Sequence, residues 1–185
     1  MPTARADGVS AVVGGRVFVI GGTNREVPNN GYSRLWANEG FRAADGVWEV
    51  RAPMPTARGH MAGDTLGGVI YVVGGSTVVE VYDTLEVYDP NWDAWTVGPS
   101  MPTTRWNVAG ASVGDKLYVA GGEVSRMVAT DALEVFDPST QTWSARPAMP
   151  TARFKAGSAV LGGRLVVVGA ETAVGVSNRG DAFIP

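Results

Sequence analysis

The sequence predicts an all-β protein assembled from repeated units of four antiparallel strands. Three observations predict this fold class: a five-residue motif that recurs along the chain, short apolar runs rich in β-branched residues, and glycine at 25 of 185 positions, about twice its usual share. The chain is long enough for one domain or a short array of repeats, and it is too short for two sizeable domains.

The recurring motif is Met-Pro-Thr followed by Ala or Thr and then Arg, and it divides the chain into four units. Its methionines stand at positions 1, 54, 101 and 149, and its arginines are Arg5, Arg58, Arg105 and Arg153. The units are therefore residues 1–53, 54–100, 101–148 and 149–185, the last of them incomplete. We treat the whole chain as one repeat domain.

Each unit begins with two apolar runs joined by a tight turn, such as Gly67-Gly68, whose residues favour the positive φ of a two-residue hairpin. The second run is a buried strand by composition, as in Val69–Val73. A glycine follows that run 16 residues after each motif arginine. In three units it opens a Gly-Gly pair: Gly21 and Gly22, Gly74 and Gly75, Gly121 and Gly122.

The third and fourth strands are indicated by an aromatic residue seven positions before a tryptophan, as in Tyr88 and Trp95. Asp-Pro opens the turn between them in the second and third units. The first unit lacks Asp-Pro, so its third strand is indicated by fewer landmarks, and the fourth unit has no tryptophan strand. The three tryptophans at this position are Trp48, Trp95 and Trp143.

These landmarks, in this order and spacing, resemble the kelch repeat over nearly the whole chain. The resemblance implies a kelch-type β-propeller of four-stranded antiparallel blades, with about 3.5 to 4 blades in this chain. Kelch propellers usually close with about six blades, or about 300 residues. Three alternatives follow: a fragment of a longer protein, which we favour, a homo-oligomer that completes the ring, or a distorted ring of four small blades.

Composition excludes several classes of function. The formal net charge is −3 with no run of like charges, so we expect no nucleic-acid partner. No apolar run has membrane length and no signal peptide is recognisable, so we expect no membrane partner and leave the compartment unassigned. Without cysteine and with His60 as the single histidine, we expect neither a metal site nor a cofactor.

We interpret the repeated arginines, glycine pairs and tryptophans as structural. The arginines at the entry to each first strand are expected to tie adjacent blades together through carboxylates or backbone carbonyls. The glycines allow backbone conformations that other residues avoid, and the tryptophans pack between blades. None of these positions is assigned a catalytic role.

The candidate binding residues are polar and differ from unit to unit. Two positions after each motif arginine stand Asp7, His60, Asn107 and Lys155. The kelch resemblance places this position near the central channel, on the face formed by the loops that follow Gly-Gly. Those loops add Arg25, Asn29, Asn30, Glu123 and Arg126.

We therefore expect a non-catalytic scaffold that binds a protein, peptide or glycan through the loops around the channel. One alternative is a sugar-acting enzyme, similar to bacterial kelch-type mutarotases of sialic acid, with His60, Glu123 and Arg126 as its nearest candidates. The other alternative is an inactive fragment of a larger propeller protein.

Overall fold

The computed structural model describes residues 1–26 and 31–183, and these residues form strands and turns with no helix. The strands belong to four sheets, which we call blades 1 to 4. Blade 1 contains β1 (Val9–Val13), β2 (Arg16–Ile20), β5 (Asn38–Arg42) and β6 (Val47–Arg51). Blade 2 contains β7 (Ala62–Leu66), β8 (Val69–Val73), β9 (Leu85–Asp89) and β10 (Ala94–Val97).

Blades 3 and 4 follow the same order. Blade 3 contains β11 (Ala109–Val113), β12 (Lys116–Ala120), β15 (Leu133–Asp137) and β16 (Thr142–Arg146). Blade 4 has three strands among the described residues: β17 (Gly157–Leu161), β18 (Arg164–Val168) and β21 (Gly180–Phe183). Every pair of neighbouring strands is antiparallel, because each connection is a hairpin or returns to the adjacent strand.

Short hairpins interrupt the connection between the second and third strands of three blades. They are β3 (Thr23–Glu26) with β4 (Gly31–Arg34), β13 (Glu123–Ser125) with β14 (Val128–Ala129), and β19 (Glu171–Thr172) with β20 (Gly175–Val176). Blade 2 has a turn instead, in which the Glu80 amide donates to the Thr77 hydroxyl oxygen at 2.9 Å. The sequence predicted these segments only as loops of variable length.

Apolar side chains fill the spaces between successive blades. The inner strand β1 packs on β7, β7 packs on β11, and β11 packs on β17. Between blades 2 and 3, for example, Val73 from one blade and Leu117 and Phe136 from the other are fully buried in one cluster. Among the described residues, no comparable packing of β17 on β1 closes this series.

The predicted fold class is confirmed: the protein is an all-β, four-bladed propeller of antiparallel sheets. The first unit lacks Asp-Pro but keeps its third strand. β5 is a full strand, and Phe41 faces Trp48 in its ladder with β6. The pair stacks with ring centroids 5.1 Å apart, as close as the equivalent pair Tyr88 and Trp95. Aromatic pairing, rather than the Asp-Pro turn, therefore suffices for this strand.

The motif arginines are buried, and each binds a carboxylate on the third strand of its own blade. Arg58 Nη1 lies 2.7 Å from Glu86 Oε2, and Thr56 of the same motif donates to the other oxygen of Glu86 at 2.8 Å. Burial lowers the pKa of the Arg58 guanidinium, and Glu86 opposes that shift. The other arginine pairs are Arg5 with Glu39, Arg105 with Glu134, and Arg153 with Asp181.

The expected tie between blades is made by the backbone of these arginines and not by their side chains. The amide of Gly22 donates to the Arg58 carbonyl at 2.9 Å, and the same bond joins Gly75 to Arg105 and Gly122 to Arg153. Gly22 has a φ of 101°, and a Cβ there would stand 2.5 Å from the Ala6 carbonyl oxygen. The second glycine of the pair is therefore required by both conformation and space.

The tryptophans at the fourth strands also reach the preceding blade. The indole N–H of Trp95 donates to the Ala52 carbonyl at 2.8 Å, and that of Trp143 donates to the Pro99 carbonyl at 2.8 Å. Trp48 lies in blade 1 and makes no equivalent bond in the described part of the chain.

Among residues 1–26 and 31–183 there is no helix that is long and apolar enough to cross a membrane.

Candidate functional site

The four predicted ring positions are joined by a chain of backbone hydrogen bonds at the centre of the blades. The amide of His60 donates to the Asp7 carbonyl, that of Asn107 to the His60 carbonyl, and that of Lys155 to the Asn107 carbonyl, each at 2.9 Å. We call Asp7, His60, Asn107 and Lys155 the central ring. A cavity of about 200 Å³ lies among all four residues.

All four residues of the central ring adopt the left-handed conformation, with φ of 57°, 60°, 53° and 55° in chain order. Among residues other than glycine, Asn, Asp and His enter this region most readily. The polar character of Asp7, His60 and Asn107 is thus partly a requirement of the backbone. Lys155 has no such preference, so its presence is not explained by conformation.

Three of the four side chains of the central ring, those of Asp7, Asn107 and Lys155, pair with the residue two positions after the glycine that follows the second strand of the same unit. Thr23 donates to Asp7 at 2.9 Å, Asn107 donates to Glu123 at 2.6 Å, and the Lys155 ammonium donates to Glu171 at 2.8 Å. The types of the two paired residues therefore differ from unit to unit, whereas their positions in the repeat are the same. The sequence analysis did not link the two positions, although both keep a constant distance from the motif arginine.

Two adjoining clefts open on the loop face, above blades 1 to 3. One has a volume of about 350 Å³ and the other about 440 Å³, and His60, Arg34 and Val78 line both. The first also contacts Ser76, Thr77, Val79, Glu80, Val81, Trp106 and Arg126, and the second contacts Asp7, Thr23 and Tyr32. Loops from three units therefore contribute to one continuous depression.

His60 lies at the junction of these clefts and is half-buried. Burial lowers its pKa; Asp7, whose carboxylate is 3.7 Å from His60 Nε2, opposes this shift, and the positive charges of Arg34 and Lys155 add to it. The imidazole is therefore neutral at pH 7, with one nitrogen able to donate and the other able to accept a hydrogen bond.

Arg34 and Trp106 are site residues that the sequence analysis missed. Arg34 ends the β3–β4 hairpin, and its buried Nε has no hydrogen-bond partner among the residues that the structure describes. Trp106 directly follows a motif arginine, and its indole N–H donates to no protein group among the described residues. The other units have Ala6, Gly59 and Phe154 at this position. That departure from the repeat was the available signal for Trp106, whereas Arg34 has none.

The predicted loop residues separate into three groups. Arg126 is exposed and lines the first cleft together with His60. Glu123 is buried, and its two oxygens accept hydrogen bonds from Asn107 and from the Met127 amide at 2.8 Å. Arg25 is part of β3, but its side chain lies outside the described structure, as do the residues Asn29 and Asn30.

The arrangement supplies hydrogen-bond donors and one neutral imidazole, without a free carboxylate at Glu123. Both oxygens of Glu123 already accept hydrogen bonds from protein donors, so in this arrangement Glu123 is a poor acid or base. Within residues 1–26 and 31–183, no three histidine, aspartate or glutamate side chains lie together as a metal site requires.

Comparisons with known proteins agree with this architecture. The family model described as "Kelch motif" matches residues 57–102 and 105–150, and no curated protein matches the chain. Among solved structures, the chain is similar to one titled "Structure of YjhT", with a TM-score of 0.73 and 14% sequence identity, over 97% of this chain and 81% of that chain. At this identity the likeness shows the fold alone. With kelch motifs in blades 2 and 3 and the same landmarks in blade 1, the chain belongs to the kelch-repeat family of β-propeller proteins.

Proposed function

We propose that the protein is a non-catalytic recognition module that binds a protein, peptide or glycan on the loop face. The observation that carries this proposal is the continuous depression over blades 1 to 3, to which three units contribute side chains. Arg34 and Trp106 line it, and the Trp106 indole N–H has no acceptor among the described residues. Loops of variable length on a repeated frame are a common basis of recognition.

The frame supports this role because it holds the loops at fixed positions. The central ring is linked by backbone bonds, and the motif arginines are buried on their carboxylates. Side chains in the clefts can therefore change without loss of the contacts that hold the blades together. Preorganised donors of this kind raise affinity because less conformational entropy is lost on binding.

The test is a screen of the purified chain on arrays of immobilised peptides and glycans, followed by two variants. We expect His60→Asn and Trp106→Leu to lose the binding that the wild type shows, and Asn is chosen because it accepts the left-handed φ of His60. Trp92→Leu is the matched control, since Trp92 is exposed on the β9–β10 turn, away from the clefts. Binding that survives both cleft variants in folded protein would contradict the proposal.

We also propose a second copy of this chain as a partner, on the faces of the two terminal blades. Val168 of blade 4 and Val17 of blade 1 stand at the same distances from their motif arginines as Val73 and Leu117. The interior pair is fully buried, whereas Val168 is exposed and Val17 half-exposed. The exposed faces of blades 4 and 1 present apolar residues at the repeat positions that form the interface between blades 2 and 3, so the two faces are complementary to each other.

Light scattering after size exclusion tests this second proposal. We expect a dimer or larger oligomer for the wild type, and Val168→Asp is expected to dissociate it because a charge would be buried at the contact. A wild-type mass of 19.3 kDa, that of the single chain, at all concentrations would overturn it.

A further inference from the structure

The first cleft contains an excess of cationic donors over described acidic partners. Of the 14 Lys and Arg side chains that the structure describes, eight are paired with carboxylates within 4 Å, including Lys116 and Lys155 on the surface. No described carboxylate lies within 4 Å of Arg34 or Arg126, and both line this cleft. Two of the six described arginines without such a partner therefore meet at one cleft.

The environment of Arg34 leaves its guanidinium incompletely satisfied. Its Nη2 reaches the Thr77 carbonyl only at 3.5 Å, and its buried Nε has no partner among the described residues. Burial lowers its pKa and the nearby Asp7 opposes the shift, yet arginine remains charged at any physiological pH. A weakly bonded guanidinium costs stability when it is partly buried, and an anion in the cleft would supply an acceptor to its Nη groups.

The acidic groups near the cleft are already engaged. Asp7 accepts from Thr23, and Glu80, which lines the cleft, accepts from the Tyr82 hydroxyl. His60 is neutral for the reasons given above and adds no charge. The lining of the first cleft itself has two arginines and one glutamate, which favours a carboxylate over a cationic group there, while Asp7 keeps its negative charge in the adjoining cleft.

The walls of the cleft are apolar next to these arginines. Val78 and Val79 are 74% and 88% exposed, and Trp106 is half-buried opposite the turn that presents them. Exposed valines at the rim favour aliphatic side chains of a ligand, whereas a sugar would present hydroxyl groups to them without hydrogen-bond partners. The indole of Trp106 adds a flat surface and a free N–H donor.

We propose that the cleft binds an acidic segment of a partner protein, with a carboxylate between Arg34 and Arg126 and a neighbouring aliphatic side chain against Trp106 and the valines. This rests on the proposed recognition function and names its ligand class. The planar guanidinium of Arg34 orients the bound carboxylate, and the positive charge of the exposed Arg126 attracts the acidic segment.

The experiment uses the whole chain and small probes that isolate each chemical group. The probes are N-acetylglutamate amide and its neutral twin N-acetylglutamine amide, with glucuronate and glucose as the sugar pair. Binding is followed by NMR at constant ionic strength, through the Trp106 indole resonance and the arginine Nε resonances. We expect saturable chemical-shift changes with N-acetylglutamate amide. The affinity for N-acetylglutamine amide should be about 10-fold or more lower.

Variants assign the shifts to this cleft. Arg34→Gln and Arg126→Gln are each expected to lower the affinity for N-acetylglutamate amide by about 10- to 100-fold. Arg146→Gln is the control, because Arg146 is exposed on β16, also lacks a carboxylate within 4 Å, and lies outside the cleft. The Trp106 resonance also reports whether each variant remains folded.

Each other outcome overturns a defined part of the proposal. Equal shifts from the glutamine twin, no saturable shift, or an effect of Arg146→Gln as large as those of the cleft variants would overturn the carboxylate site. Glucuronate binding more tightly than the acidic amide would overturn the peptide assignment in favour of a sugar acid. If the acidic probe does not bind while binding of the array ligands is still lost in His60→Asn and Trp106→Leu, the recognition function stands and only its ligand class is wrong.

Discussion

The interface between blades 2 and 3 and the outward face of blade 4 use the same register positions in opposite environments. Val73 and Val168 both stand 15 residues after a motif arginine, and they are 0% and 50% exposed. Likewise Val113, eight residues after its arginine, is 4% exposed at the interface between blades 3 and 4, whereas Leu161 at the same position of blade 4 is 73% exposed. The repeat therefore specifies which side chains are available for burial, and the neighbouring blade determines whether they are buried.

The largest expected difference concerns the buried ion pairs. Arg105→Met leaves Glu134 buried and uncompensated inside blade 3, and we expect a loss of about 3–5 kcal/mol in the free energy of unfolding. Arg153→Met in blade 4 leaves Asp181, whose side chain is 21% exposed and can be hydrated, so its loss should be smaller. Urea unfolding followed by tryptophan fluorescence measures both. Equal losses would mean that blade 4 is as well shielded from water as blade 3.

The matched valines give the next largest difference. Val73→Ala removes two buried methyl groups at the interface of blades 2 and 3, and about 2 kcal/mol of stability should be lost. Val168→Ala at the same register position should change stability by about 0.5 kcal/mol or less in the monomer. The same unfolding measurement, made at several protein concentrations, compares them. A large, concentration-dependent loss for Val168→Ala would show that a second copy covers this face.

The fourth-strand tryptophans extend the comparison of buried and outward-facing positions to blade 1. Trp143→Phe keeps an aromatic ring but removes the hydrogen bond to Pro99, and we expect a loss of about 1 kcal/mol beyond the change in packing. Trp48→Phe removes no such bond within the described chain and should cost less. Thermal melts by circular dichroism are sufficient for this pair. A greater loss for Trp48→Phe would place another blade against blade 1.

The smallest expected effect is a pH dependence at the turn of blade 3. Hydrogen bonds from Ser139 and Lys116 lower the pKa of the exposed Asp137 to about 2. Because this folded-state pKa lies below the ordinary value of 3.8, the contribution is present above pH 3.8 and is lost as the pH falls towards 2. Asp137→Asn should flatten that part of the stability profile. Parallel profiles for the variant and the wild type from pH 5 to pH 2 would contradict the assignment.

The frame was predictable because it depends on residues that repeat at fixed spacing. The motif arginine, the second glycine and the fourth-strand tryptophan each make contacts that the geometry of every blade requires, as at Arg58, Gly22 and Trp95. The order of strands follows from the same landmarks. The unpredicted part of the frame, the short hairpins after the second strand, has no repeated residue type to announce it.

The site was predictable only where it coincides with that frame. His60 stands at a repeated position and could be placed near the channel, whereas Arg34 reaches the cleft from the end of the β3–β4 hairpin, in the variable loop of the first unit. Glu123 was predicted as a surface binder, but the side chain of Asn107 holds it inward. Which loop side chain faces a cleft depends on contacts between units, and a single repeat does not contain that information.

The chain of backbone bonds through the central ring has a consequence for how such proteins diversify. His60 and Asn107 each accept one hydrogen bond from the following unit and donate one to the unit before, so the three links of the described chain are alike and point the same way. Duplication of a unit extends this chain by one link without altering the existing ones. The number of blades and the identity of the residues around the centre can thus evolve independently, and a new specificity needs only a changed side chain on an inherited link.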